Sequence, residues 1–151
     1  MSNSAGAART IAQYCHTIDD GRLEEWAELF EPDGAFIAPG LGTIRGRANL
    51  RHYGEGLLGV LDGFGVGAKH LTFNSAIDID GDRATAVSDF AVIANAAGAW
   101  SIMGSGRYTD ELVHTDQWRF VTRTLTWYRD EAPAGLAPAV APLFEKFGEV
   151  Q

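Results

Sequence analysis

The spacing of apolar residues changes once along this chain, and that change limits the folds open to it. From about Ala7 to Leu61 apolar residues recur at three- and four-residue intervals, as one helix face requires. From Lys69 to Tyr128 they alternate, which is the two-residue repeat of a strand with one buried face. Ile11, Tyr14, Cys15 and Ile18 mark a first helix, broken at Asp19-Asp20-Gly21. Asp20 is a candidate N-cap for a second helix with Leu23, Trp26, Ala27 and Phe30 on its apolar face, ended by Pro32-Asp33-Gly34. Two short strands, Ala35–Ala38 and Thr43–Arg45, flank the turn residues Pro39, Gly40 and Gly42. Leu50, Tyr53, Leu57 and Leu61 mark a third helix, which Gly54, Gly56 and Gly59 should make irregular.

The glycine-rich stretch Gly63–Gly67 divides the two halves. Four strands follow, Lys69–Ile79, Ala84–Ala94, Trp100–Val113 and Trp118–Tyr128, joined by turns at Asp80-Gly81-Asp82, Ala97-Gly98 and His114–Gln117. Helices first and an antiparallel meander second predict an α+β domain, with a curved sheet wrapped over helices and a small-molecule pocket at its mouth. Pro133, Pro138 and Pro142 argue against a long regular helix in the tail 132–151. Its Leu143, Phe144 and Phe147 predict that it docks, over the pocket mouth or on a partner subunit.

A length of 151 residues suits one domain spanning 1–151. The net charge of −8 disfavours nucleic acid and anionic membrane surfaces as partners. Cys15 is the single cysteine, so neither an internal disulfide nor a CxxC pair can form, which fits a reducing cytoplasm. The start of the chain lacks the apolar run of a signal peptide, and no stretch approaches the roughly 20 apolar residues of a membrane span. The four histidines show no metal-ligand spacing, so a metal site is not expected.

Asp19 continues the Ile11–Cys15 row at i+4, beside the buried stripe of the first helix. A carboxylate there is desolvated unless a partner holds it charged; otherwise it caps a helix or faces solvent. Alternation places His70, Thr72 and Asn74 on one face of the first long strand, where His70 is a general-base candidate or a hydrogen-bonded structural histidine. Tyr14, on the buried side, is a proton donor or a core tyrosine. Arg123, in the last long strand, is a cavity cation for a departing anion or a surface arginine. Trp26, Tyr53, Phe90, Val92, Ile102 and Tyr108 are the expected pocket lining. Gly104-Ser105-Gly106 falls inside a strand and reads as a bulge.

Tyr14-x4-Asp19, Trp26–Gly34, Thr43–Arg47, His70-x3-Asn74, Gly81–Thr85, Gly106–Leu112 and Trp118-Arg119-Phe120 follow one another in an order that resembles the SnoaL-like branch of the NTF2-like superfamily, over roughly residues 8–129. The resemblance implies a cone of curved antiparallel sheet packed against three N-terminal helices, and a homodimer or homotrimer. Asp19 and His70 stand where scytalone dehydratase and hexachlorocyclohexane dehydrochlorinase carry an Asp–His pair. Tyr14 resembles the tyrosine of the bile-acid dehydratase, and Arg123 an arginine of the dehydrochlorinase. The third long strand has Ile102-Met103-Gly104-Ser105 where scytalone dehydratase uses a second histidine. The implied activity is a cofactor-independent lyase of dehydratase type acting on a small apolar cyclic or aromatic substrate. A dehydrochlorinase, an isomerase or cyclase with the same dyad, and a binding protein without turnover are the alternatives.

Overall fold

The structure is a computed structural model that describes residues 3–63, 66–130 and 135–149. Helix α1 (Ser4–Asp19) starts where the Asn3 side chain accepts the Gly6 N–H. Helix α2 is Leu23–Glu28, followed by strands β1 (Phe30–Ala38) and β2 (Gly42–Arg45) and helix α3 (Arg47–Asp62). Strands β3 (Val66–Asp80), β4 (Arg83–Ala96), β5 (Ala99–His114) and β6 (Trp118–Trp127) come next, and helix α4 (Leu136–Phe147) closes the chain.

The six strands form one sheet in the order β2-β1-β6-β5-β4-β3. The long strands pair antiparallel as a meander, as their short turns require. Ala97 and Gly98 both have positive φ (52° and 80°), the conformation of a tight type I′ hairpin turn between β4 and β5. One expectation is corrected: β1 lies parallel to β6, so the sheet is mixed rather than wholly antiparallel. Register shifts in the β1–β6, β3–β4, β4–β5 and β5–β6 ladders bend the strands around the helices.

Several local expectations are also corrected. Helix α2 ends at Glu28, and Phe30 to Gly34 belong to β1; there Arg47 donates two hydrogen bonds to the Phe30 carbonyl (2.8 and 2.9 Å). Arg22, not Asp20, occupies the N-cap of α2, and Asp20 instead lies 3.4 Å from Arg22 at the surface. Helix α3 is regular over 16 residues despite its glycines, because two of them are contact points. A β-carbon at Gly54 would stand 3.1–3.3 Å from Leu23 and Trp26, and one at Gly56 only 2.5 Å from Leu143. Residues 64 and 65 of the glycine-rich divider, and Pro133 with the rest of 131–134, lie outside the described residues.

The tail is a 12-residue helix with Pro142 inside it. Pro138 falls in the first turn, where no intrahelical N–H is needed, so only one proline costs a hydrogen bond. Burial of Leu136, Val140 and Phe144 offsets that loss. Glu149 fastens the far end through an ion pair with Arg45 and a backbone bond from its N–H to the Thr43 carbonyl (2.8 Å).

Candidate active site

The hollow between the sheet and helices α1, α3 and α4 holds a cavity of about 50 Å³. Its walls are apolar: Phe36, Leu57, Phe90, Val92, Leu125, Trp127, Val140 and Phe144 among others. Its polar side chains are His70 and the three phenols Tyr14, Tyr53 and Tyr108.

Asp19 is the last residue of α1, and His70 sits early in β3, which packs alongside that helix. The Asp19 Oδ1 atom lies 2.7 Å from His70 Nδ1. Both carboxylate oxygens also accept the His70 backbone N–H, at 3.0 and 3.1 Å. A carboxylate only accepts, so Nδ1 carries a proton, and in the neutral form of the ring Nε2 holds the lone pair. His70 lines the cavity, and the Tyr14 ring stands edge-on to it with centroids 6.5 Å apart. Thr72 also turns inward, with Oγ1 3.1 Å from Cys15 Sγ. Burial pushes the Cys15 thiol up from its ordinary pKa. Asn74 does not join this face. It has φ 54° in a bulge where Asn74 and Ser75 oppose one residue of β4, and its amide donates to Asp89 at the surface (3.2 Å).

Tyr14 is buried against Trp26, Phe30, Tyr108 and Phe120. Burial raises its phenol far above the ordinary value, and the Arg123 charge pulls it partly back. Burial likewise raises Tyr53 and Tyr108.

Two of the expected lining residues are elsewhere. Ile102 is 70% exposed on the outer face. Val92 pairs with Gly104 but Ile93 pairs with Ile102, so Met103 is an extra residue that inverts the alternation. The bulge therefore lies at Met103, and Gly104 to Gly106 stay in register. Trp26 is fully buried behind Tyr14 rather than at the cavity. Tyr53, Phe90, Val92 and Tyr108 do line the cavity.

Arg123 is neither a cavity cation nor a surface residue. It is 0% exposed, and its Nε and Nη2 atoms each donate to Asp110 at 2.8 Å. Burial by itself lowers the pKa of this guanidinium, but the Asp110 charge and hydrogen bonds more than reverse that, leaving it raised. Sequence reasoning missed Asp110 and the wall residues Leu125 and Trp127. The signal for Asp110 was its parity: it shares the inward face of β5 with Tyr108 and Leu112, directly across from Arg123. Among the described residues no cluster of metal-ligating side chains forms. No helix among them is long and apolar enough to cross a membrane.

With this geometry in hand, comparison places the chain. A structure of Rv3472, a protein of unknown function from Mycobacterium tuberculosis, is 32% identical with a TM-score of 0.82, over 96% of this chain and 90% of that one. An NTF2-like protein with a cystatin-like fold from Novosphingobium aromaticivorans is 24% identical with a TM-score of 0.73, covering 88% and 86% of the two chains. A candidate scytalone dehydratase from the same organism is 27% identical with a TM-score of 0.68, covering 82% and 83%. No curated protein matches the chain. The fold is thus NTF2-like, and because the SnoaL-like domain model matches residues 4–124, the chain belongs to the SnoaL-like domain family.

Proposed function

We propose that the protein is a cofactor-independent lyase of dehydratase type, acting on a small, mostly apolar cyclic substrate. The observation that carries this reading is the 2.7 Å contact between Asp19 and His70 Nδ1, with the imidazole turned to an apolar cavity. A binding protein without turnover would have no need to hold the pair in that geometry. The likeness to a candidate scytalone dehydratase supports the reading.

In the proposed step His70 Nε2 takes a proton from a substrate carbon. The C–H electron pair becomes the new C=C bond, and the C–O bond on the adjacent carbon breaks with its electrons on oxygen. Tyr14 donates a hydrogen bond to that departing oxygen, and the proton on His70 passes to it to release water. Base catalysis of this kind supplies a factor of about 10²–10⁴. Leu136, Val140 and Phe144 of α4 form one wall of the cavity that would receive the substrate. An assembly of two or three copies in the cytoplasm is part of the same proposal.

Hydroxylated and chlorinated cyclic compounds, screened by mass spectrometry, provide the test. Loss of water is the expected result; loss of hydrogen chloride would make the enzyme a dehydrochlorinase, and an unchanged mass with a new product an isomerase or cyclase. His70→Ala and Asp19→Asn should each remove most turnover while circular dichroism stays unchanged. Near-wild-type rates in either variant would overturn the mechanism.

A further inference from the structure

The cavity leaves one expensive feature unexplained: a complete ion pair buried behind it. Arg123 and Asp110 are both fully buried. Apolar side chains of similar volume would serve packing as well or better, since burying two charges costs several kcal/mol each. The guanidinium carbon lies 4.2 Å from the Tyr14 ring centroid, 4.0 Å from that of Tyr108 and 4.4 Å from that of Phe120. Its Nη1 atom has no hydrogen-bond acceptor among the described residues, so the ring faces are what its N–H groups meet. Tyr14 and Tyr108 both line the cavity, their ring centroids 5.8 Å apart. A cation held against the π face of a phenol favours negative charge on that phenol's oxygen, and so strengthens its O–H as a donor.

We propose that Arg123 is a positioning residue that never meets the substrate: fixed by Asp110, its charge turns Tyr14 and Tyr108 into a paired donor for the oxygen that becomes anionic as His70 removes the proton. This rests on the lyase reading above and deepens it. Tyr108 becomes the second donor, and the substrate is one that places its departing oxygen at the tyrosine end of the cavity. Cys15, Tyr53 and His70 are the other titratable groups facing the two phenols, and none of them supplies a fixed positive charge there.

The test replaces Tyr14 with 3,5-difluorotyrosine, whose phenol ionises well below that of tyrosine, and follows it by fluorine NMR across pH. The Asp110→Leu/Arg123→Met double variant removes both charges and should raise the ionisation midpoint by about one pH unit, a tenfold change. Asp110→Asn keeps the cation without its counter-charge and should lower the midpoint. A pair with only a packing role would not move the two variants in opposite directions, so shifts of the same sign, or none, overturn the proposal. If Asp110→Asn does not fold, the double variant decides alone, and a midpoint that falls or stays put refutes it. On a substrate found in the screen, the double variant should lose about tenfold in kcat with KM within about twofold. A screen without turnover would sink the lyase reading, yet the fluorine titration would still report whether Arg123 acts on Tyr14.

Discussion

Asp19→Asn exchanges one heavy atom, an oxygen for an amide nitrogen, and should invert the chemistry of His70. In the native protein the carboxylate receives three contacts, from Nδ1 at 2.7 Å and from the backbone N–H at 3.0 and 3.1 Å. An amide has one accepting oxygen, and with that oxygen at the Oδ2 position, 3.0 Å from the backbone nitrogen, it accepts from this obligate donor. The amide NH2 then faces Nδ1, which must become the acceptor, so the ring proton moves to Nε2. The base is thereby removed with almost no change in shape. Turnover should fall by about 10²–10⁴, the full worth of a positioned general base. Stability should fall by only about 1 kcal/mol, because a neutral hydrogen bond replaces a charge-assisted one. Long-range nitrogen–proton NMR on histidine-labelled protein reads which ring nitrogen carries the proton, independently of any substrate. A variant whose proton stays on Nδ1, or whose rate stays near wild type with the proton moved, would refute the reasoning.

Three further outcomes follow from the same packing. Burial raises the Tyr14, Tyr53 and Tyr108 phenols above their unfolded values, so the folded chain keeps protons that the unfolded chain loses. Their contribution to stability is full below about pH 10 and drains away above it, at about 4 kcal/mol per pH unit for three phenols. Tyr53→Phe should cut that slope to about 3 kcal/mol per unit in melts followed by circular dichroism, and an unchanged slope would contradict the burial argument. Phe144→Ala removes a ring that packs on Phe36 and Tyr53 and walls the cavity, and should cost about 3 kcal/mol in urea denaturation while admitting larger ring compounds in ligand titrations. Gly106→Ala would place a methyl 2.1 Å from the Thr126 carbonyl oxygen and 2.9 Å from the Phe90 ring, and should destabilise by about 3 kcal/mol in the same assay.

What sequence patterning made legible was whatever depends on a single repeat. The row Ile11–Cys15–Asp19 placed the acid at the inner end of α1, and the alternation from Lys69 placed His70 and Thr72 on the inner face of β3. The turns of the meander were legible because Asp-Gly and Ala-Gly pairs mark them locally. Wherever a bulge inserted one residue, inference along the strand lost its parity. Asn74 and Ile102 were both assigned to the inner face by counting in twos, and in both cases an extra residue carries the side chain outward. Proline rules misjudged the tail for a related reason. They count broken hydrogen bonds but not the apolar surface that Leu136, Val140 and Phe144 bury in exchange.

Arg123 shows the deeper limit. Its residue type and strand were read correctly, yet a cavity position, a surface position and a buried position behind the cavity wall differ only in what stands across from it. That is fixed by register between strands: Asp110 faces Arg123 because β5 and β6 slip by one residue between Glu111 and Leu112. The charge consequently sits behind the cavity wall, within 4.2 Å of the centroids of the phenol rings that line the cavity. An arginine in the cavity itself would meet any water that enters, and its field would weaken accordingly. Behind the rings Arg123 is fully buried, so its charge acts on Tyr14 and Tyr108 through dry core rather than through cavity water.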